Sequence, residues 1–159
     1  AGASRVIAID VTSERLEAAL RCGADVALSA GPDLIERVKE ANENRLADLI
    51  IVCTGAQQAL GEAFHAVDRG GTILFFAPAD PEARVEIPFN HVWWQELTIT
   101  SSYAGSPRDI RAAITLISSG KMDVTDMITH RLPLDGIGEG FSLVEAAGPS
   151  IKVVIEPQS

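Results

Sequence analysis

Cysteine is scarce in this chain, and the two that occur, Cys22 and Cys53, form no C-x-x-C pair. That excludes a disulfide framework and fits a reducing compartment, so a cytoplasmic location is expected. The three histidines, His65, His91 and His130, are spaced too widely to make a recognisable metal motif, and structural roles are expected for them. No apolar run approaches the roughly 18–20 residues of a membrane span, and no secretory leader is visible. Positive charge is short as well: 13 Lys and Arg stand against 22 Asp and Glu, a formal net charge of −9. Such a surface repels phosphate backbones, and no local basic patch offsets it, so nucleic acid is excluded as a partner. Internal repeats and low-complexity linkers are also absent.

What remains is ordinary globular material. The 159 residues are 47% hydrophobic, and a domain of this size buries about 68–70% of its unfolded surface. Short apolar runs alternate with helical periodicity, the signature of βαβ units around a parallel sheet and hence of an α/β fold. Strands are expected at Val6–Asp10, Val26–Leu28, Asp48–Cys53, Thr72–Ala77 and Leu97–Ser101, with a short one at Arg84–Ile87 inside the loop Pro78–Pro88. Asp48–Cys53 is apolar throughout, as a strand covered by helices on both faces should be. Helices are expected after Thr12 or Ser13 (with Leu16, Ala19 and Leu20 on one face), from Pro32, over Ala56–Asp68, and over Pro107–Ser119, which carries Ile110, Ala113, Ile114 and Ile117. Gly23 and Gly120 suit the left-handed position just past two of these helices. Beyond residue 120 the character changes. Thr129–Leu132, a helix around Gly136–Ala147 and Ile151–Ile155 form a smaller α/β appendage, dividing the chain into 1–120 and 121–159.

The opening carries the chemistry. An apolar strand, Val6-Ile7-Ala8-Ile9, ends in Asp10, and Arg15 follows five residues on. An acidic residue at that place is how a dinucleotide-binding fold holds the adenosine ribose of NAD. The rival reading makes Asp10 a solvated strand-end residue capping the next helix, a task for which Thr12 and Ser13 are better placed. The glycine-rich phosphate loop, G-x-G-x-x-G on a preceding strand, is missing. With Ala1 rather than Met in first place, the expectation is a piece of a larger enzyme.

With these elements in order, the chain resembles the C-terminal, NAD-binding part of medium-chain zinc-dependent alcohol dehydrogenases, in particular the sorbitol and threonine dehydrogenase branch. The residues behind the resemblance are Val6–Asp10, Arg21-Cys22-Gly23-Ala24-Asp25, Asp48–Gly55, Arg69-Gly70-Gly71-Thr72, Ser102–Ser106, Ile128–Leu134, Gly140-Phe141 and Ser150–Ile155. The resemblance implies a Rossmann-like doubly wound parallel sheet without its first strand, and a C-terminal segment that returns to the catalytic domain. It implies that Asp10 accepts hydrogen bonds from both ribose hydroxyls, opposing a 2′-phosphate and so preferring NAD to NADP. Arg15 is then the basic residue near the ribose, or simply an exposed helix arginine. Thr54 and Gly55 follow a buried strand, Gly55 letting the backbone approach the adenosine; Cys53 packs.

The resemblance also implies that main-chain groups at Phe75, Ala77, Ser101 and Tyr103 face the nicotinamide carboxamide. Lys152 reaches the pyrophosphate, or is a lysine at a strand edge. Arg84–Ile87 becomes an edge strand pairing two subunits. Trp93 and Trp94 are expected in core or subunit packing. The catalytic zinc, held by Cys, His and an acidic residue in such enzymes, finds no ligands in this sequence, so no catalytic residue and no metal ligand is assigned. The resemblance thus implies hydride transfer from an alcohol or polyol to NAD by the parent protein, with the chain alone inactive. Two other readings stay open: a zinc-free quinone-type reductase, which Asp10 opposes because such enzymes prefer NADPH, and a non-catalytic binding or assembly module.

Overall fold

Every strand pairing recorded in the computed structural model is parallel. Residues 2–146, 148 and 150–158 are described. Contacts divide the chain into two units, Ala1–Ser29 with Gly105–Ser159, and Ala30–Ala104. The boundary near residue 120 expected from the sequence falls inside the first of these.

In the first unit, β1 (Ile7–Asp10) pairs with β2 (Val26–Ser29) in the register Ile7↔Val26 to Asp10↔Ser29, with α1 (Ser13–Arg21) as the crossover. Gly23 (φ +99) closes α1: Ala24 N–H reaches Ala19 O and Gly23 N–H reaches Leu20 O, the paired bonds of a left-handed C-terminal cap. Gly120 (φ +68) does the same after α5 (Pro107–Ser118). A second pair, β6 (Ile128–Pro133) and β7 (Lys152–Glu156), is linked through α6 (Ile137–Glu145). The expected end of α6 at Ala147 lies outside the described residues.

The second unit is a three-stranded sheet, β3 (Ala47–Val52), β4 (Val67–Phe75) and β5 (Thr98–Ser101), in that order. Its helices are α2 (Leu34–Ala41), α3 (Gln57–Ala66) and α4 (Phe89–Trp94). The core is Val52, Leu60, Ala63, Phe64, Val67 and Ile73, so α3 buries the face that carries Leu60, Ala63 and Phe64. Phe64 and Phe75 meet with ring centroids 6.3 Å apart. Burying a side chain such as Phe64 contributes about 1.5–3 kcal/mol.

Four local expectations need correction. The second helix starts at Leu34, not Pro32, because Asp33 sits at φ +60, a left-handed conformation Asp tolerates through its short polar side chain. The third helix ends at Ala66; Val67 already pairs with Ala47, the next pair is Leu49↔Thr72, and the intervening residues, Gly70-Gly71 among them, bulge out of the strand. Arg84–Ile87 forms no strand in this chain, and Arg84 O instead accepts the Gln57 Nε2 amide at 2.9 Å. The six residues of α4 are helical although their Val, His and Trp content is weak in helix propensity. Trp93 and Trp94 project from it into solvent, edge to face at 4.8 Å, rather than packing into a core.

The largest departure is in burial. Leu49 (55% exposed) and Ile51 (51%) face solvent while Val52 is buried, so only one face of β3 is covered. Ile110, Ile114 and Ile117, spaced for one face of α5, are exposed too.

Candidate cofactor site

A parallel sheet places the C-terminal ends of all its strands at one end, and open α/β sheets bind ligands in the crevice just beyond it. The second unit does this in one row: Val52 pairs with Phe75, and Phe75 with Ser101. Thr54 and Gly55 follow β3, Ala77 follows β4 and Tyr103 follows β5. Six of the expected residues are thereby brought to one sheet end.

Several of these positions also have partners within the chain. Gly55 is needed by its own chain: a Cβ there would lie 2.5 Å from Pro78 O and 2.9 Å from Ala79 Cα. The close backbone approach that only glycine permits is thus made by the Pro78–Ala79 segment. The main-chain groups at Phe75 and Ala77 are also partly committed. Val52 O accepts from Phe76 N–H (3.0 Å) and Ala77 N–H (3.2 Å), and Phe75 O accepts from Ser102 N–H (3.1 Å). A carbonyl oxygen has a second lone pair, so Phe75 O can still take a ligand donor; Ala77 N–H is already spent. Thr54 Oγ1 accepts Ala56 N–H at 3.2 Å, shaping the turn into α3. Tyr103 is 97% exposed.

In the first unit, Asp10 ends β1 and is part-buried. Its Oδ1 accepts Thr12 N–H at 2.9 Å, and its Oδ2 lies 4.0 Å from Arg15 Nη1. The Thr12 side chain makes no cap, and Ser13 donates its hydroxyl to Glu14 Oε2 at 3.0 Å. The turn role expected of Thr12 or Ser13 therefore falls in part to Asp10, an i→i+2 side-chain turn that nothing in the one-dimensional pattern singles out. An ionised carboxylate offers about four acceptor sites on two oxygens, so Oδ2 retains capacity for a sugar hydroxyl. Arg15 is about half exposed and aligned with that oxygen. Lys152 opens β7 opposite Ile128; its backbone oxygen accepts the Thr129 hydroxyl at 3.2 Å, and its side chain is exposed.

Residues 1–119 match the zinc-binding dehydrogenase family. The chain belongs to that family. It is 30% identical to L-threonine 3-dehydrogenase of Bacillus velezensis over 159 residues, 99% of this chain and 45% of that protein. It is 27% identical to sorbitol dehydrogenase of Mus musculus over 158 residues, covering 98% and 43%. An alcohol dehydrogenase of Escherichia coli CFT073, solved in complex with NADH, superposes with a TM-score of 0.82 at 25% identity, covering 94% of this chain and 44% of that one. The chain thus spans less than half the length of these relatives.

Among the described residues no group of three or more His, Cys, Asp or Glu side chains gathers, and a catalytic zinc needs three protein ligands. The structure does bring one histidine pair together, His65 and His91, with ring centroids 5.6 Å apart. Their separation in sequence gave no signal of it.

Proposed function

We propose that this chain is the cofactor-binding portion of an NAD-dependent, zinc-containing alcohol or polyol dehydrogenase, cytoplasmic and not catalytic by itself. The observation that supports the reading is the register row Val52–Phe75–Ser101: Thr54, Gly55, Phe75, Ala77, Ser101 and Tyr103 lie at the C-terminal end of the strands, and open α/β sheets take their ligands beyond that end. Residues 1–120 supply this portion, and 121–159 the segment that returns to the catalytic domain.

Each group then has a task. Asp10 keeps Oδ1 on the Thr12 N–H and offers Oδ2 to the adenosine ribose, with Arg15 beside it. A phosphate at the ribose 2′ position would meet that carboxylate, and like charges placed together cost several kcal/mol; NAD is favoured on this ground. The second lone pair of Phe75 O and the backbone at Ser101 and Tyr103 orient the nicotinamide carboxamide, and Lys152 approaches the pyrophosphate as a flexible point charge. NAD, when bound, supplies the hydride acceptor. Zinc and the alcohol-binding pocket come from outside these residues, so the chain alone is expected to produce no NADH from sorbitol or threonine. Two copies join through Arg84–Ile87, which becomes a strand only when a partner supplies its ladder.

A crystal of the chain soaked with NAD tests the reading. Ribose hydroxyls within hydrogen-bond distance of Asp10 Oδ2 are expected. Coenzyme bound elsewhere, or a carboxylate that keeps both oxygens on its own chain, would overturn it.

A further inference from the structure

We propose that His65 and His91 form a two-imidazole site for a borderline divalent transition ion, Cu2+ above all, which braces the last turn of α3 against α4. This site is separate from the family's catalytic zinc and does not depend on the cofactor reading above.

Three observations carry it. The two rings are 5.6 Å apart between centroids and tilted by 44°. Two imidazoles on one ion, with bonds of about 2.0–2.1 Å each, set their ring centres about 4.5 Å apart when cis on a tetragonal ion, about 5 Å at the tetrahedral angle and about 6 Å when trans, and the observed separation falls within that span. His91 Nε2 lies 2.9 Å from Phe64 O. A carbonyl oxygen can only accept, so Nε2 carries the proton and Nδ1 holds the lone pair. An imidazole whose second nitrogen donates to a backbone carbonyl is the arrangement that fixes tautomer and ring orientation in metal-ligating histidines. Phe64 is 1% exposed in the core, so the carbonyl anchoring His91 belongs to a rigid part of the second unit. His65 is the residue next to it, and its ring is exposed. Entry for an ion from solvent is open on that side. Two nitrogens leave the remaining coordination positions to water. Imidazole donors favour Cu2+ over its first-row neighbours.

α4 also provides the readout, because the chain's two tryptophans, Trp93 and Trp94, both lie on it. A paramagnetic ion at His91 sits within a helical turn or so of both rings. The full chain, its exposed Cys22 and Cys53 first alkylated, is titrated with Cu2+ while tryptophan emission is followed. The expected result is saturable quenching at one ion per chain, with excess Zn2+ displacing the curve to higher Cu2+. His65→Ala, at an exposed position, should move the midpoint up by about tenfold or more, and His130→Ala should leave it in place. As a second measurement, Zn2+ should raise the melting temperature of the parent chain and not of His65→Ala, since an ion that binds only the folded state stabilises it. Quenching that rises without saturation, a His65→Ala curve superimposed on the parent's, or dependence on His130 would each overturn the proposal.

Discussion

At the scale of single residues, Gly55 is a glycine whose necessity lies within its own chain. The sequence marks it as a glycine just past a buried strand, where a ligand approaches. In the structure the approaching atoms are Pro78 O and Ala79 Cα. Its φ is not in the left-handed region, so crowding alone excludes a side chain. Gly55→Ala should cost about 1–3 kcal/mol, the usual penalty of overpacking, read as a lower urea midpoint at unchanged slope. A neutral result would show that the Pro78–Ala79 segment moves aside freely. Asp10 is the converse: its type and place at a strand end were legible, but the hydrogen bond from Thr12 N–H was not. Side-chain turns of this kind depend on backbone dihedrals that periodicity does not report. The His65–His91 pair was illegible for a related reason, since only the folding of α4 brings the two rings together.

Elements were more legible than residues. β1, β2, β3 and β5, and helices α1, α3 and α5, fall within a few residues of their expected bounds, because apolar runs and helical spacing are long-range signals. The failures are short or irregular: α4 lacks strong helix formers, and the 68–71 bulge breaks one expected helix–turn–strand succession into another. α5 is the element whose ends are best specified. Ser106 Oγ accepts Asp109 N–H at 3.3 Å, while Asp109 Oδ2 accepts the Ser106 N–H (2.8 Å) and hydroxyl (2.7 Å), a reciprocal capping box with Pro107 in the first turn. These bonds from the Ser106 side chain and backbone hold the Asp109 carboxyl below its ordinary value of 3.8. A group whose pKa is lower when folded stabilises the folded state above its unfolded value, and that contribution fades as pH falls through the folded one. The first turn of α5 should therefore lose amide-exchange protection as pH drops below about 4. In Asp109→Asn that pH dependence should be gone; protection that stays flat in the parent chain would contradict the assignment.

On the scale of the whole molecule, composition and element order sufficed for the α/β class, the resemblance of short motifs pointed to the family, and burial is where the patterning misled. A strand apolar on both faces is expected between two helical layers, yet Leu49 and Ile51 are open to solvent, as are Ile110, Ile114 and Ile117 of α5. Patterning reports what a strand or helix is built to meet, not what is present to meet it. The relatives are more than twice as long as this chain, and the uncovered apolar faces are consistent with a cofactor-binding portion whose surroundings lie elsewhere. Lacking the glycine-rich loop and its helix N-terminus, a major source of pyrophosphate affinity, the chain alone should bind NAD only weakly.

The most direct measurement is an amide-resolved NMR titration of the uniformly labelled chain with NAD and, separately, NADP. Saturable shifts are expected at Asp10, Thr12 and Arg15 and at the strand ends after Val52, Phe75 and Ser101, with a dissociation constant weaker than micromolar. NAD should be preferred, and Asp10→Ser should shift the ratio of the two affinities toward NADP by at least about tenfold. Perturbations that bypass Asp10 and the strand ends, or equal affinity for both coenzymes in the parent chain, would contradict the account.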